Sequence, residues 1–226
     1  MGFLVIVIIA AAAIAIAIYV NLAAKRRVQA LAALAASNGL EFNEEDPFNL
    51  PDRLAGISQF NQGNSRKASN VIHGTYAGRD VLLFDYQYTT GSGKNRHTHR
   101  LSACLEPAGV PLPALLIRPE TFLDKAAAFV GFEDIDFESD EFSRKFFVKG
   151  PDKKFAYDVC NPQMMSWLLA NAGNFSIEII DSGLVLMNGS TWSPEDFQSA
   201  LCFSARFWEL IPDFVWKQYG AAGAAE

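Results

Sequence analysis

The sequence predicts an α+β protein: an N-terminal transmembrane helix and stalk, then an antiparallel sheet of about six or seven strands with helices packed on one face. Three observations lead to this prediction. Residues 3–20 form an unbroken apolar run. Several segments with strand-like alternation are separated by short turns rich in Gly, Asp and Asn, and such turns join antiparallel strands. Helical segments with polar caps follow towards the C-terminus, which is typical of helices covering one face of a sheet.

The N-terminal run has the length and composition of a membrane anchor. No charged residue occurs before Lys25. Residues 1–24 therefore predict a helix of about 36 Å, which is enough for a hydrocarbon core of about 30 Å. A cleaved secretory signal peptide is the alternative, and the Ala-rich stretch would supply its cleavage site. Because a signal peptide begins with a basic region and residues 1–3 contain no base, we favour the anchor.

Three bases directly after the anchor predict its orientation. Lys25, Arg26 and Arg27 are the only charges in the first 40 residues. The positive-inside rule then predicts a single-pass protein of the cell membrane, with its N-terminus outside and its soluble domain in the cytoplasm. Residues 25–39 are rich in Ala and Leu and predict a continuing helical stalk that ends at Gly39.

The remaining chain divides into a linker, one domain and a tail. Residues 40–69 are polar and interrupted by Pro and Gly, which predicts a linker with one short helix over 52–60. Residues 70–219 predict one α+β domain, and residues 220–226 a disordered tail. The predicted strands are 70–76, 81–89, 97–106, 112–117, 142–149, 175–180 and 184–187. The predicted helices cover 120–130, 151–171 (two short helices) and 193–210.

Charge and cysteine content exclude two classes of protein. The chain holds 25 Asp and Glu against 19 Lys and Arg, and three of those bases precede Glu41, the first acidic residue. A domain with this acidic balance is repelled by phosphate backbones, so we expect no nucleic-acid partner. The three cysteines are widely spaced and lie in apolar surroundings. That spacing argues against a disulfide framework or a cysteine zinc site, and we expect all three to be buried.

A basic hairpin stands out in this acidic domain. Lys94, Arg96 and Arg100 crowd one turn and the start of the next strand. They predict contact with an anionic group, such as a lipid headgroup or a protein carboxylate, so a sensor of an anionic ligand is one hypothesis. A solvated hairpin tip with no ligand is the alternative.

Two histidines on the same strand predict a possible metal site. His97 and His99 are two residues apart and share a face of the strand, which continues with apolar residues and is therefore expected to point inward. With His73 or Asp85 from a neighbouring strand, they would supply three zinc ligands, and a metal-dependent protein or enzyme is thus a second hypothesis. Histidines hydrogen-bonded near the sheet edge are the alternative. Cys104 falls on the opposite face and forms no catalytic pair with them.

Three segments carry a resemblance to a known family. Residues 70–76 (NVIHGTY), 84–88 (FDYQY) and 112–120 (LPALLIRPE) resemble a family of uncharacterised bacterial membrane-anchored proteins with a soluble domain of unknown function. The resemblance covers about residues 65–211. It implies a bacterial envelope setting and supplies no catalytic residues.

No catalytic motif with correct spacing occurs in the sequence, which leaves the question of enzymatic activity open but favours a non-enzymatic protein. The leading hypothesis is a membrane-tethered binding module whose stalk holds the domain away from the bilayer, where it meets a protein partner. No cofactor is expected, with zinc on the histidines as the exception.

Overall fold

The computed structural model describes residues 2–120, 131–180 and 183–223. The strands in these ranges are β1 (Glu41–Glu45), β2 (Asn64–Tyr76), β3 (Arg79–Thr90), β4 (His97–Pro107), β5 (Leu115–Pro119), β6 (Phe146–Lys149), β7 (Ser176–Ile180) and β8 (Gly183–Met187). The helices are α1 (Gly2–Ser37), α2 (Leu50–Arg53), α3 (Asp140–Lys145), α4 (Lys153–Val159), α5 (Pro162–Asn171), α6 (Pro194–Leu210) and α7 (Asp213–Gly223). A single 3₁₀ turn, Gly93–Asn95, joins β3 to β4.

The strands form one sheet in the order β1-β2-β3-β4-β8-β7-β5-β6, and all neighbours pair antiparallel. This confirms the predicted α+β class. The described residues contain eight strands rather than six or seven, because β1 lies inside residues 40–69, which we predicted to be a linker.

Apart from the single turn α2, the described helices that pack on the sheet cover one face, as predicted. The principal helix on this face is α6, which begins with a capping box in which the Ser193 hydroxyl accepts from the N–H of Asp196 and the Asp196 carboxylate accepts from the N–H of Ser193. Its apolar side packs Phe197 and Phe207 fully into the core. The capping box and this apolar stripe together explain why the sequence begins a helix here.

The C-terminal third of α1 is part of that core. Leu31 and Ala35 are buried to 0% and 1% exposure and pack with residues of α6 and the sheet. Beyond the helix, Leu40 lies against Gly74, where an added Cβ would come within 3.0 Å of its side chain. The stalk predicted for residues 25–39 is therefore not a spacer, because the helix that would hold the domain away from the bilayer is built into the domain.

The N-terminal part of α1 is exposed and apolar. Ile9, Ile16 and Tyr19 are 63%, 64% and 72% exposed. Among the described residues, one helix is long and apolar enough to cross a membrane, and the qualifying stretch is Ile8–Ser37. The predicted anchor thus corresponds to an apolar helix that is a candidate membrane span.

Other boundaries differ from the sequence prediction for local reasons. β2 begins at Asn64, six residues before the predicted start of the domain. The predicted strand 142–149 begins instead as helix α3, because the Ser139 hydroxyl accepts from the N–H of Phe142 and caps that helix. The predicted helix 120–130 lies almost entirely outside the described residues. Helix α7 extends to Gly223, into the predicted tail.

Candidate functional site: an apolar cleft beneath residues 46–60

A cleft of about 610 Å³ lies on the sheet face that α1 and α6 do not cover. One wall comes from residues 46–60, which we call the cover segment, and the floor comes from β2, β3, β4, β7 and β8. The volume is in the range of sites that hold small ligands or the anchoring side chains of a partner. The lining residues are Phe48, Leu50, Arg53, Leu54, Ile57, His73, Gly74, Asp80, Val81, Leu82, Leu105, Glu106, Pro107, Ile180, Gly183, Leu184 and Val185.

The start of the cover segment is shaped by a side-chain cap. The Asp46 carboxylate accepts from the N–H of Phe48 at 2.9 Å and from the N–H of Leu50 at 2.7 Å. Pro51 follows in the first turn of α2, where its missing N–H leaves no helical hydrogen bond unmade. This turn directs the fully buried Leu50 towards the sheet.

The end of the cover segment is tied to the sheet by polar and aromatic contacts. The Tyr86 hydroxyl donates to the carbonyl of Phe60 at 2.6 Å. The Phe60 ring packs between Phe84 and Tyr86, at centroid distances of 5.5 and 5.2 Å. Because both ring and backbone are held, the cleft wall is a fixed part of the fold.

Polar groups lie at the rim of the cleft. The Asn43 side-chain amide is hydrogen-bonded to His73 Nε2 at 3.0 Å. The His73 imidazole meets the Phe48 ring edge-on, with 4.8 Å between the ring centroids. The Arg53 guanidinium lies 5.7 Å from the centroid of the same Phe48 ring. The cleft therefore combines an apolar floor with one cation and one imidazole at its edge.

A buried carboxylic acid lies under the cover segment. Glu178 of β7 is 2% exposed and accepts a hydrogen bond from the Gln59 amide. Burial raises the pKa of Glu178 to about 7, against the lowering effect of hydrogen bonds from Ser176 and Gln59 and of the nearby charge of Arg118. The carboxyl group therefore titrates near neutral pH.

The predicted anion-binding residues lie together on exposed surface. Lys94 is in the 3₁₀ turn, Arg96 follows it, and Arg100 is at the start of β4. They lie at the opposite end of the sheet from the cleft, since Arg100 pairs with Gln87 whereas the cleft residue Leu82 pairs with Leu105. The anion-binding role of these residues stays a prediction.

The three histidines are not brought together. His97 and His99 are exposed on the part of β4 that extends past the core, so the expected inward orientation holds only from Leu101 onward. His99 stacks on Tyr88 at 4.7 Å and is hydrogen-bonded to the hydroxyl of Thr90 at 2.8 Å.

His73 pairs with Leu82, six residues along β3 from the partner of His99, or about 20 Å away. The described residues contain no group of three or more His, Cys, Asp or Glu able to hold a metal ion. A zinc site on His97 and His99 stays a prediction.

The three bases after the anchor have different environments. Lys25 and Arg26 are exposed. Arg27 instead makes a bidentate ion pair with Asp85, at 2.6 and 2.9 Å, and also donates to the carbonyl of Trp192 at 2.7 and 3.0 Å. It therefore fastens α1, directly after its exposed apolar part, to both the sheet and the segment before α6.

The partner of Arg27 is itself held in place. Asp85 accepts from the Asn70 amide at 2.7 Å and from the Ser102 hydroxyl at 2.5 Å. The Ser102 hydroxyl in turn accepts from the N–H of Trp192 at 2.9 Å. Asp85 was, with His73, one of two candidates for the third ligand of the predicted zinc site, but its oxygens are occupied by this network.

The cysteines only partly follow the prediction that all are buried. Cys104 and Cys160 are buried, and burial raises the pKa of both thiols. Cys202 is exposed on the outer side of α6. Its sequence neighbours are apolar because the adjacent positions of the helix face the core.

The cleft was missed from sequence because its wall falls in the predicted linker. Pro47, Pro51, Gly56 and Gly63 interrupt that segment and indicated an irregular connection. The available signal was the recurrence of apolar residues every two to four positions, which is unusual in a solvated linker. These residues are Phe48, Leu50, Leu54, Ile57 and Phe60.

The fold and cleft define a class of protein: an α+β domain built onto an N-terminal apolar helix. No protein-family model matches the sequence, and no curated protein matches it. Among solved structures, the crystal structure of the mycobacterial trehalose monomycolate transport factor A, TtfA, superposes with a TM-score of 0.59 at 12% identity. The match covers 82% of this chain and 96% of TtfA. This similarity shows a shared fold, and the resemblance to an uncharacterised family has no family match to support it.

Proposed function

We propose that this protein is a membrane-tethered, non-enzymatic module that binds a protein partner through the cleft beneath the cover segment. The observation that carries the proposal is the cleft, with its volume of about 610 Å³, its apolar floor and its polar rim. A buried apolar anchor surrounded by polar contacts is the usual arrangement at the centre of a protein interface.

The position of the cleft favours a protein segment over a lipid chain. Arg27 binds Asp85, whereas Leu40, thirteen residues later, contacts Gly74. Since Gly74 pairs with Val81, α1 runs from its anchor towards the end of the sheet that carries the cleft. With α1 in the bilayer, the cleft lies on the membrane-distal part of the domain and opens to water.

The chemistry of the described residues supports binding rather than catalysis. Burial raises the pKa of the Cys104 and Cys160 thiols, which disfavours the nucleophilic thiolate. The hydroxyl–imidazole pair of Thr90 and His99 is on exposed surface at the opposite end of the sheet from the cleft. The cleft itself is lined mostly by aliphatic and aromatic side chains.

Two further features are parts of the proposal. The bases after the anchor favour a cytoplasmic position for the domain by the positive-inside rule. TtfA is named as a transport factor, and its shared fold is compatible with an accessory role beside a membrane transport process for this chain. In such a role the anchor and the docked end of α1 fix the cleft at a set height above the bilayer.

In-cell photocrosslinking tests the proposal. A photoreactive phenylalanine analogue at Leu105, on the cleft floor, is expected to give one discrete protein adduct. Leu82→Trp, which fills the cleft from the neighbouring strand, is expected to abolish that adduct. The same analogue at Ser199, on the exposed side of α6, is the matched control and is expected to give none.

Two results would contradict the proposal. An adduct from Leu105 that survives Leu82→Trp would mean that the cleft is not the binding site. Adducts that contain only lipid would assign the cleft to an acyl chain and would exclude the protein partner.

A further inference from the structure

One end of the sheet is strongly basic. Residues 61–69 and 86–105 contain five Lys and Arg and no Asp or Glu, although the whole chain has an acidic excess. These residues form the start of β2 and the β3–β4 hairpin, which are adjacent because Asn64 pairs with Thr89. We call Arg66, Lys67, Lys94, Arg96 and Arg100 the basic end.

Two residues of the basic end share the face on which α1 packs. Lys67 and Arg100 both pair with Gln87, so the three residues form a row across β2, β3 and β4. The adjacent row, with Tyr86 in its centre, lies on the opposite face of the sheet, which the cover segment packs against. Arg27 and Arg100 also line one small cavity of about 240 Å³, which places Arg100 directly beside the juxtamembrane part of α1.

The basic end points in the direction from which α1 enters the domain. Arg27 of α1 contacts Asp85 of β3, and Leu40, which follows α1, contacts Gly74, the partner of Val81 in β3. The chain therefore runs from Arg27 to Leu40 in the direction opposite to that of β3. Going backward along α1 towards the anchor therefore corresponds to going forward along β3. This direction ends at the β3–β4 hairpin.

The lengths of the two elements make them meet at the membrane surface. Thr90 is five residues past Asp85, which is about 17 Å of extended strand. The predicted end of the anchor, residue 24, is only about 4.5 Å from Arg27 along the helix. The hairpin that follows Thr90 thus reaches at least the level at which α1 leaves the hydrocarbon, where the headgroups lie.

We propose that the basic end binds anionic lipid headgroups of the bilayer that α1 spans, on the same side as Lys25 and Arg26. This inference rests on the proposed membrane tether. Electrostatic attraction to anionic headgroups decays over a Debye length of about 8–10 Å, so only residues close to the surface contribute. The basic end meets this condition, and it orients an otherwise acidic domain with its cleft away from the bilayer.

Acidic groups near the basic end do not cancel it. Asp85 is paired with Arg27. Glu45 of β1 pairs with Ser69, two residues on the domain side of Lys67. Glu44 lines one cavity with Lys25 of α1, where this base offsets its charge. Glu195 and Asp196, in the first turn of α6, are outnumbered by the five bases of the basic end.

Spin-label depth measurements on the full chain in lipid nanodiscs test the inference. The label is placed at Ser92→Cys, in the exposed hairpin, in a Cys202→Ser background. The matched label is at Thr75→Cys, which is exposed on β2 at the opposite end of the sheet. The readout is accessibility to oxygen, which partitions into lipid, against a water-soluble nickel complex.

In discs with phosphatidylglycerol as one third of the lipid, the Ser92 label is expected to be several-fold less accessible to nickel than the Thr75 label. In pure phosphatidylcholine the difference is expected to disappear. Combined charge reversal, Lys94→Glu, Arg96→Glu and Arg100→Glu, is expected to return the Ser92 label to water in both lipids. The same charge change made at Lys153, Arg206 and Lys217, on exposed surface elsewhere, is expected to have no effect.

Equal nickel accessibility of the Ser92 and Thr75 labels in anionic discs would overturn the inference. So would a protected Ser92 label that does not respond to lipid charge. A third label at Ile14→Cys separates this failure from failure of the tether. If Ile14 is in hydrocarbon and Ser92 is in water, only the headgroup contact is refuted, whereas an Ile14 label in water refutes the membrane tether itself.

Discussion

Replacing Glu178 with Gln is expected to stabilise the protein above neutral pH. The carboxyl group is 2% exposed, and burial raises its pKa to about 7 from an ordinary value of 4.5. The neutral form is therefore the one that the folded protein favours. Gln has the same shape, stays neutral at every pH and still accepts the hydrogen bond from Gln59.

The sign and size of the effect follow from proton binding. Between pH 4.5 and 7 the folded protein holds a proton on Glu178 that the unfolded chain releases, so the free energy of unfolding falls as the pH rises. A pKa change from 4.5 to about 7 corresponds to about 3 kcal/mol. We therefore expect Glu178→Gln to gain about 2–3 kcal/mol relative to the natural chain at pH 8, and almost nothing below pH 4.5.

The assay is guanidinium unfolding of the full chain in mild detergent at pH 4.5 and pH 8, followed by tryptophan fluorescence. Trp192, which is 1% exposed in the core, reports loss of the native packing. Glu133→Gln is the control, since the Glu133 side chain is 90% exposed and its substitution is expected to leave the pH dependence unchanged. If the natural chain and Glu178→Gln differ in stability by the same amount at both pH values, the assignment of a raised pKa to Glu178 is refuted.

Four further predictions follow from the same contacts. Arg27→Ala is expected to lower the free energy of unfolding by about 3 kcal/mol, because it leaves the partly buried Asp85 without its ion pair. Arg26→Ala is expected to be nearly neutral, and equal effects of the two substitutions would contradict a stabilising role for the Arg27–Asp85 ion pair. Leu31→Ala is expected to cost about 2–4 kcal/mol in the same assay, as a core residue does, and a loss under about 0.5 kcal/mol would mean that α1 does not pack into the domain. A thiol reagent is expected to modify Cys202 alone in the folded protein, with Cys104 and Cys160 reacting only after denaturation; mass spectrometry counts the adducts. Elemental analysis of the purified chain is expected to find substoichiometric zinc, unchanged by His99→Ala, because two imidazoles leave a tetrahedral site incomplete; one zinc per chain, lost in the variant, would establish the metal site.

The elements that depend on local sequence patterns were predictable. The end of α1 at Ser37 follows from Asn38 and Gly39, which cannot continue the helix readily. Strand β3 follows from strict alternation, and α6 from a serine cap followed by proline and acids. Each of these signals lies within the element that it specifies.

The cover segment and the docking of α1 were not predictable in the same way. Leu50 and Phe60 are buried only because β3 and β4 place an apolar face opposite them. Leu31 looks like any residue of an Ala- and Leu-rich helix until α6 packs against it. In both cases the decisive contacts are with residues distant in sequence. The local apolar pattern indicates burial but does not say which surface covers these side chains.

The candidate site shows the same division. The basic residues of the hairpin are evident as a cluster in the sequence, but Arg66 and Lys67 join them only through the pairing of β2 with β3. The cleft depends on five strands and the cover segment, and no single stretch of sequence contains it.

The contacts of Arg27 with Asp85 and Trp192 have a consequence for biosynthesis. Arg27 and Trp192 are separated by 165 positions, and the core around Leu31 includes residues of α6. The anchor emerges from the ribosome first, whereas the groups that grip its end emerge among the last. With α1 inserted in the bilayer as proposed, the helix remains during translation with an uncovered apolar stripe at Leu31 and an unpaired Arg27 guanidinium. A chain truncated before α6 would remain in that state, so any surveillance system that recognises exposed juxtamembrane apolar surface would distinguish incomplete copies from complete ones.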